Sequence, residues 1–388
     1  HEDEIQAELS RIGNIDDILK SGLPPILEMV NAPAGKIRNR DLTLKLKLTD
    51  RGGGIGKIVF RVNGIEYGIP QGTKPIGHIG MKSSGMIIRK DFTLKNGLNT
   101  ITATAYNKDD KIESKPLEFI LNVDDPRSYE PDLYGLCIGI TNYLDYDLKL
   151  KYAADDALSM RKELETRATP LFKNVDVRAL TDRQASTDGI ISAFKEMSLK
   201  IRPNDVFVLY MSGHGKALDT RYHFIPWGMR YKNEESIRQY SLSHDKIQEL
   251  MAMIRAQKSL IILDTCYSGS VVAPSKGMPE KTAIDRLMRA TGRATLAATS
   301  DKALAYEGHN GHGIFTHAIL KGLEAHADRK GNRNGETGID ELANFVQDEV
   351  PRITFDKFGF EQIPMHSVTG HSFPIGCCKG YNRPGCRP

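Results

Sequence analysis

The stretch DVFVLYMSGHG, residues 205–215, and its counterpart SLIILDTCYSG, residues 259–269, decide the fold of this chain. In each stretch, an almost unbroken run of apolar residues ends in a short polar segment that contains glycine. Such runs are typical of strands buried on both faces, as in a parallel sheet that is covered by helices. The two stretches therefore predict core strands of an α/β domain.

Further strands and helices alternate around these two stretches. The other strand candidates are 133–140, 175–180 and 294–300. The helical candidates are 153–166, 186–200, 243–256, 312–325 and 339–349. This alternation favours a mostly parallel sheet with helices on both faces. Because ligands bind such sheets outside the carboxyl ends of the strands, we expect the functional residues there.

Residues 25–125 have a different pattern, with short segments in which apolar and polar residues alternate. These segments are DLTLKLKLTD (41–50), GKIVFRVNG (56–64), NTITATAYN (99–107) and PLEFILNV (116–123). Several short strands in about 100 residues predict an all-β sandwich that resembles immunoglobulin-like (Ig-like) modules. The predicted domain boundaries are a helical segment at 1–24, the sandwich at 25–125, a linker at 126–132, the α/β domain at 133–376 and a tail at 377–388.

Composition excludes some classes of protein. Of the 388 residues, 40% are hydrophobic and 26% are charged, as in ordinary globular proteins. The 53 basic and 49 acidic residues nearly balance, which argues against nucleic-acid binding. No apolar run approaches the roughly 20 residues of a membrane span, and no signal peptide is recognisable. We therefore expect a soluble protein, with the cytoplasm favoured. Because the first residue is His1, we expect a mature form or a piece of a longer chain.

His214 and Cys266 are the candidate catalytic residues. Each follows a predicted core strand, beside glycine, and Cys266 comes 52 positions after His214. Caspase sequences have their catalytic histidine about 50 residues before the cysteine. A histidine can accept the proton of a thiol, and the backbone N–H groups of Gly215 and Cys266 are candidate donors to an oxyanion. Taken singly, a cysteine after a strand is usually core packing, and a histidine in a glycine turn is usually a loop residue.

The SGHG and DTCYSG motifs, together with the β/α order, resemble those of the caspase-like cysteine peptidases: caspases, metacaspases and their bacterial relatives. The resemblance covers about 133–376. It implies a caspase-like α/β fold with a six-stranded, mostly parallel sheet whose last strand, near 364–370, is antiparallel. It also implies a cysteine endopeptidase that acts through a thioester acyl-enzyme on protein or peptide substrates.

The resemblance to metacaspases implies a substrate pocket lined by Asp156 and Asp264. An aspartate lies two residues before Cys266, and the segment ADDA (154–157) matches the second metacaspase motif, with Asp155 in place of its asparagine. Two carboxylates would bind a basic side chain, with arginine favoured over lysine. The alternative is that Asp156 is an exposed residue in the first turn of a helix and that Asp264 only ends a strand.

Regulation could involve self-cleavage or calcium. The candidate cleavage sites, in the basic segment 271–290, are Lys276, Lys281, Arg286 and Arg289. The alternative is an uncut loop, or a helix at 282–290. No cofactor is expected to be required. Calcium could act as an activator at an unknown site, since the EF-hand-like segment 330–341 begins with Lys330, a cation that opposes calcium. No metal-ligating residues are predicted.

Other functions remain open at the level of sequence. The caspase-like domain could be a catalytically inactive scaffold or binding module. It could also be another relative in the same clan, of clostripain or legumain type, and legumains prefer asparagine, a specificity that is not basic. The sandwich could bind a partner protein or restrain the peptidase domain.

Overall fold

A computed structural model describes residues 20–31, 35–67, 85–126, 130–218, 220–230, 232–267, 279–291, 293–298, 307–368 and 372–378. The chain divides into two compact units, 1–128 and 129–388. The boundary between them falls within the predicted linker 126–132. Of the predicted helical segment 1–24, residues 1–19 lie outside the described residues.

The described residues of the first unit form two sheets. Its strands are β1 (Ile26–Met29), β2 (Lys36–Ile37), β3 (Asp41–Thr49), β4 (Ile58–Val62), β5 (Ile65–Glu66), β6 (Met86–Thr93), β7 (Gly97–Ala105) and β8 (Leu117–Val123). The first sheet has the order β1-β3-β6, and the second has the order β2-β8-β7-β4-β5. The pairs are antiparallel except for β2 with β8.

One apolar core joins the two sheets of the first unit. Leu44, Leu46 and Leu48 alternate along β3 and are buried, and they share a core with Phe60 of β4 and Ile101 of β7. Alternation with a period of two places all three leucines on one face of their sheet. The predicted β-rich architecture is therefore confirmed, whereas the Ig-like type of sandwich stays a prediction.

The second unit contains a sheet with the order β10-β9-β11-β14-β15-β19. The strands of this unit are β9 (Leu133–Gly139), β10 (Val175–Thr181), β11 (Val206–Leu218), β12 (Arg221–Phe224), β13 (Leu242–Ser243), β14 (Lys258–Tyr267), β15 (Ala294–Ala297), β16 (Glu307–His309), β17 (His312–Gly313), β18 (Glu336–Gly338), β19 (Met365–Ser367) and β20 (Pro374–Cys377). The pairs from β10 to β15 are parallel, and β19 is antiparallel to β15, as predicted. Strands β12 and β13 extend the sheet from β11.

Helices cover both faces of this sheet. They are α1 (Ala153–Ala168), α2 (Thr187–Lys200), α3 (Glu234–Tyr240), α4 (His244–Met253), α5 (Pro279–Thr291), α6 (Ile314–Lys321), α7 (Ala327–Lys330) and α8 (Ile339–Phe358). Helices α2, α4 and α5 contribute to the core on one face, and α1, α6 and α8 contribute to the core on the other. Within the described residues, no helix has the length and apolar character needed to cross a membrane.

Strand β11 is apolar without interruption because both of its faces are buried. Phe207 and Leu209 belong to the core under α2 and α4, whereas Val208 and Tyr210 belong to the core under α1 and α6. All four are fully buried. Because side chains alternate between the faces of a strand, these two pairs lie on opposite faces of β11.

The catalytic candidates do not lie in turns after the strands, as the sequence suggested. His214 lies within β11, which continues to Leu218 because its last residues pair with the antiparallel strand β12. Cys266 lies within β14. The helix predicted at 312–325 begins at Ile314, because the two preceding residues form β17 and pair with β16.

Strand β20 reaches one residue beyond the predicted boundary between domain and tail at residue 376. Cys377 ends β20, which pairs with β18. Cys377 is disulfide-bonded, whereas Cys378 is a free, buried thiol 3.8 Å from the hydroxyl of Thr337. The folded unit therefore extends through Cys378, and the rest of the predicted tail lies outside the described residues.

Candidate active site

The parallel pairing of β11 with β14 brings the two motifs together. In this register, His214 is the Cα partner of Cys266, and Ser212 is the partner of Asp264. Adjacent strands lie about 4.8 Å apart, so the two backbones are direct neighbours. The side chain of Cys266 lies outside the part of the chain that the structure describes.

The imidazole of His214 is oriented by a backbone carbonyl. Its Nε2 lies 2.8 Å from the carbonyl oxygen of Leu148, the last residue of the short 3-10 helix Tyr146–Leu148. Because a carbonyl only accepts hydrogen bonds, Nε2 must carry the proton, and in the neutral ring Nδ1 is then the basic nitrogen. His214 is buried, which limits its alternative orientations.

Tyr143 holds the backbone of β11 at His214. Its hydroxyl accepts a hydrogen bond from the His214 N–H at 2.9 Å and donates one to the Ile225 carbonyl at 3.3 Å. The Tyr143 and His214 rings pack with their centroids 5.1 Å apart. A Cβ on Gly213 would come within 2.7 Å of the Tyr143 hydroxyl and 3.3 Å of the Phe224 ring. Gly213 is therefore needed for close packing of the protein's own side chains.

Gly215 has a similar packing role. A Cβ at this position would lie 3.0 Å from both the Thr265 hydroxyl oxygen and the ring of Tyr222. These two side chains are themselves joined by a 3.1 Å hydrogen bond. At both glycines of the histidine motif, an added Cβ would therefore meet the protein's own side chains.

The carboxylates of Asp156, on α1, and Asp264, on β14, both lie close to Gly313. Their side-chain Oδ2 atoms lie 3.2 and 3.3 Å from the position that a Cβ on Gly313 would occupy. The sum of these distances, 6.5 Å, is an upper limit for the separation of the two oxygens. Among the described residues, no other heavy atom outside the neighbours of Gly313 lies within 4 Å of that point. We call Asp156, Asp264, His312, Gly313 and Thr316 the acidic pocket.

Asp156 is not an exposed helix residue, because only 2% of its surface is accessible. His312 Nδ1 lies 2.6 Å from its Oδ1, and the Gly313 N–H donates to its Oδ2 at 3.1 Å. Burial raises the pKa of Asp156 more than these two hydrogen bonds lower it. The hydrogen bond from His312 to Asp156 in turn raises the pKa of His312.

Asp264 is held by a chain of hydroxyl groups. Thr316 donates to Asp264 Oδ2 at 2.5 Å, and the Tyr210 hydroxyl lies 2.6 Å from the hydroxyl of Thr316. Burial, followed by the charges of Asp264 and Asp156, raises the pKa of Tyr210 well above its usual value, so it stays a neutral phenol. The chain orients one carboxylate oxygen toward α6.

Sequence reasoning missed several residues of the site, namely Tyr143, Leu148, Tyr210, His312, Gly313 and Thr316. The segment GHGIFT (311–316), a glycine-flanked histidine before a helix that follows a core strand, was a usable signal. Leu148 had no such signal, because it contributes only a backbone carbonyl oxygen, which every residue possesses.

A metal site is not apparent among the described residues, since no group of three or more His, Cys, Asp or Glu side chains is arranged around one point there. In the EF-hand-like loop, the Glu341 carboxylate accepts hydrogen bonds from the backbone N–H groups of Asn332 at 2.8 Å and Gly338 at 3.0 Å. The side chain that would be the main calcium ligand therefore stabilises the loop directly.

Three of the candidate cleavage sites lie in helix α5, namely Lys281, Arg286 and Arg289. Arg286 contacts the hydroxyl of Thr220, and Arg289 pairs with Asp285 at 2.8 Å. A peptide bond in a helix must unfold locally before it can enter a protease as an extended chain. Lys276, the remaining candidate, lies outside the described residues.

Comparison with known proteins identifies the second unit. The family model described as the caspase domain matches residues 134–372, more than half of the chain. No curated protein gives a significant match.

Three solved structures that are similar to parts of the chain have low identity to it. A Geobacter sulfurreducens protein solved by structural genomics is 18% identical, with a TM-score of 0.40, and the match covers 62% of this chain and 95% of that one. Caspase-1 from Spodoptera frugiperda is 12% identical, with a TM-score of 0.37 and coverages of 65% and 92%. Fibronectin(III)-like modules of CbhA from Clostridium thermocellum are 20% identical, with a TM-score of 0.20 and coverages of 26% and 100%. On the strength of the family match, this chain belongs to the caspase-domain family.

Proposed function

We propose that this protein is a cysteine endopeptidase that cleaves its substrates after arginine, and less readily after lysine. The observation that carries the specificity is the convergence of Asp156 and Asp264 on Gly313, within 3.2 and 3.3 Å of one point. Both carboxylates are buried, and a buried negative charge requires a partner of opposite charge. A guanidinium has planar, paired donors that suit carboxylates, whereas an ammonium is a point charge.

Cys266 is the nucleophile in this proposal, and His214 is its base. His214 Nδ1 takes the thiol proton, because Nε2 is occupied by the Leu148 carbonyl. The thiolate attacks the scissile carbonyl carbon, and the N–H groups of Gly215 and Cys266 donate to the resulting oxyanion. The His214 imidazolium then protonates the leaving amine, which leaves a thioester on Cys266. Water, deprotonated by His214, hydrolyses the thioester and regenerates the thiol.

The position of Asp264 supports a link between specificity and chemistry. It precedes Cys266 by two residues on β14, and a strand returns to the same face every second residue. A side chain held by Asp264 would therefore belong to the residue whose carbonyl lies near Cys266. This arrangement resembles the metacaspase motif, and it differs from the basic pocket that caspases use for aspartate.

A peptide panel tests the proposal. Peptides that are identical except for Arg, Lys, Asp or Asn before the scissile bond should be turned over in the order Arg, Lys, then the other two. Adding and chelating calcium in parallel measures whether the ion activates the enzyme. The Cys266→Ala variant is the control for contaminating proteases. Faster turnover of the Asp or Asn peptide would overturn the basic specificity.

An inactive scaffold is the competing function, and active-site titration separates it from the enzyme. A peptide chloromethyl ketone that ends in arginine should label one cysteine per chain, and peptide mapping should place the label on Cys266. Absence of labelling in the folded protein would favour the scaffold. Deletion of residues 1–128 then asks whether the sandwich restrains the peptidase, in which case activity rises, or recruits substrate, in which case only protein substrates are affected.

Self-cleavage is the less supported part of the regulatory proposal. The helical setting of Lys281, Arg286 and Arg289 disfavours cleavage there, which leaves Lys276 as the candidate. Mass spectrometry of the wild type beside Cys266→Ala should show a cut after Lys276 in the active protein only. The same fragments in both proteins would point to another protease.

A further inference from the structure

His312 occupies an unusual position for a histidine, because it forms an ion pair inside a pocket that should receive a positive charge. Its Nδ1 lies 2.6 Å from Asp156 Oδ1. The side chain of His312 is 24% exposed, whereas that of Asp156 is 2% exposed. Water can therefore reach the imidazole of His312 but scarcely reaches the carboxylate that it contacts.

The buried carboxylate of Asp156 needs a counter-charge when no substrate is bound. It lies at most 6.5 Å from the carboxylate of Asp264, by the distances to Gly313. Among the described residues, His312 is the one ion-pair partner of Asp156. The other donor to Asp156, the Gly313 N–H, carries no net charge.

The groups that face His312 favour its protonated form, whereas the two neighbouring histidines have lowered pKa values. From α1 it is faced by Asp156 and, more distantly, by Asp155, and both carboxylates favour its charged form. From α6 it is faced by His317, whose pKa burial lowers to about 4. The neighbouring strand β16 contributes His309, whose pKa is also lowered, mainly by burial.

We propose that protonated His312 is the resident cation of the acidic pocket and that binding of an arginine or lysine side chain expels one proton from it. The inference rests on the proposed basic specificity. The Nδ1–H remains hydrogen-bonded to Asp156, and the proton on Nε2 leaves to solvent. The Asp156 charge is then available to the incoming guanidinium or ammonium. The pocket thus exchanges one positive charge for another and keeps its net charge.

This exchange makes His312 a specificity-determining residue with a defined pH dependence. Below the raised pKa of His312, the substrate competes with the proton for the pocket. The apparent dissociation constant of a basic ligand therefore rises about tenfold for each unit by which the pH falls. Above that pKa the competition disappears. At lower pH, protonation of Asp156, whose own pKa is raised, weakens binding further.

Calorimetry tests the exchange without catalysis. The ligand is acetyl-Ala-Ala-Arg-amide, and the protein is the full chain with Cys266→Ala. Titrations at one pH in phosphate and in Tris buffers, which differ in ionisation enthalpy, measure the protons released on binding. We expect release that approaches one proton per site in the parent below the pKa of His312, and almost none in the His312→Gln variant. The matched control, His366→Gln, changes an exposed histidine on β19 and should behave like the parent.

The outcomes separate this inference from the proposed function. Binding of the arginine peptide with no proton release, or with equal release in His312→Gln, overturns the role of His312 and leaves the basic specificity intact. Failure of the peptide to bind at any pH up to 9, in protein that gives a cooperative thermal unfolding transition, overturns both. Proton release that is lost only in His312→Gln supports the exchange, because a purely structural role for the histidine would not change the number of protons released.

Discussion

The catalytic edge, which comprises His214, Cys266 and their supports Tyr143 and Leu148, is built differently from the acidic pocket. The two candidate catalytic residues, His214 and Cys266, lie on adjacent strands in direct register. The acidic pocket instead collects one or two residues from each of α1, β14, β17 and α6.

This difference explains what each region reveals in the sequence. A strand that ends in a candidate catalytic residue can be recognised in the sequence, because its apolar run and its polar end are contiguous. The contact between Asp156 and Gly313 spans 157 residues and has no local signal. The candidate catalytic pair is thus recognisable from short motifs, whereas the proposed specificity pocket depends on how distant segments pack together. The following experiments alter the catalytic edge and the acidic pocket separately.

Removal of either catalytic group should have the largest effect. Cys266→Ala and His214→Gln should each lower kcat/KM by about 10³-fold or more for every peptide, since the residues act as one unit. The double variant should lose little more than either single variant. Peptide turnover measures the loss, and thermal unfolding checks the fold.

Alkylation by iodoacetamide at neutral pH provides an independent check on the catalytic edge. It should modify Cys266 and spare Cys137, because full burial raises the pKa of the Cys137 thiol. Reaction at Cys137 with an unreactive Cys266 would contradict the assignment.

Removal of a pocket carboxylate should have a smaller and selective effect. Asp156→Asn and Asp264→Asn should each lower kcat/KM for arginine peptides by about 30-fold to 10³-fold, the range for truncating one partner of a buried charge pair. The rate of Cys266 alkylation by iodoacetamide should not change, because this reagent does not use the pocket. Asp155→Asn, which alters the exposed neighbour, is the matched control. An equal loss of alkylation in the pocket variants would show that the two regions are not separable.

Partial filling of the pocket should have a still smaller effect. Gly313 has φ −62° and ψ 147°, which alanine adopts without strain, so Gly313→Ala adds a methyl group between the carboxylates and little else. We expect KM to rise about tenfold for arginine peptides, by roughly 1.4 kcal/mol of lost binding, with kcat nearly constant. Gly35→Ala in the other unit, where a Cβ meets nothing within 4 Å, is the control. A fall in kcat without a change in KM would contradict this role.

Loss of the Tyr143 hydroxyl should have the smallest effect and should appear at the catalytic edge. Tyr143→Phe leaves the buried N–H of His214 without its acceptor, at a cost of about 1–3 kcal/mol in stability. A less well-held His214 should lower kcat several-fold and leave KM for arginine peptides unchanged. Tyr146→Phe, at an 83% exposed position on the same loop, should alter neither constant. A selective rise in KM would instead place Tyr143 in substrate binding.

The amino-acid sequence by itself determined the α/β order, because local periodicity is visible in a single sequence. Its contiguous motifs named His214 and Cys266 as the candidate catalytic pair, and their resemblance to the caspase family implied the antiparallel last strand. The sequence also named Asp156 and Asp264 through resemblance to metacaspases, but it left open whether Asp156 was exposed.

Only the tertiary structure decided that question, and it added His312, Gly313 and Thr316 to the acidic pocket. Asp156 is buried because the first turn of α1 packs against the β16–β17 hairpin, where the Gly313 N–H and His312 meet its carboxylate. The burial of a side chain is a property of the segments that cover it, and here those segments lie more than 150 residues further along the chain.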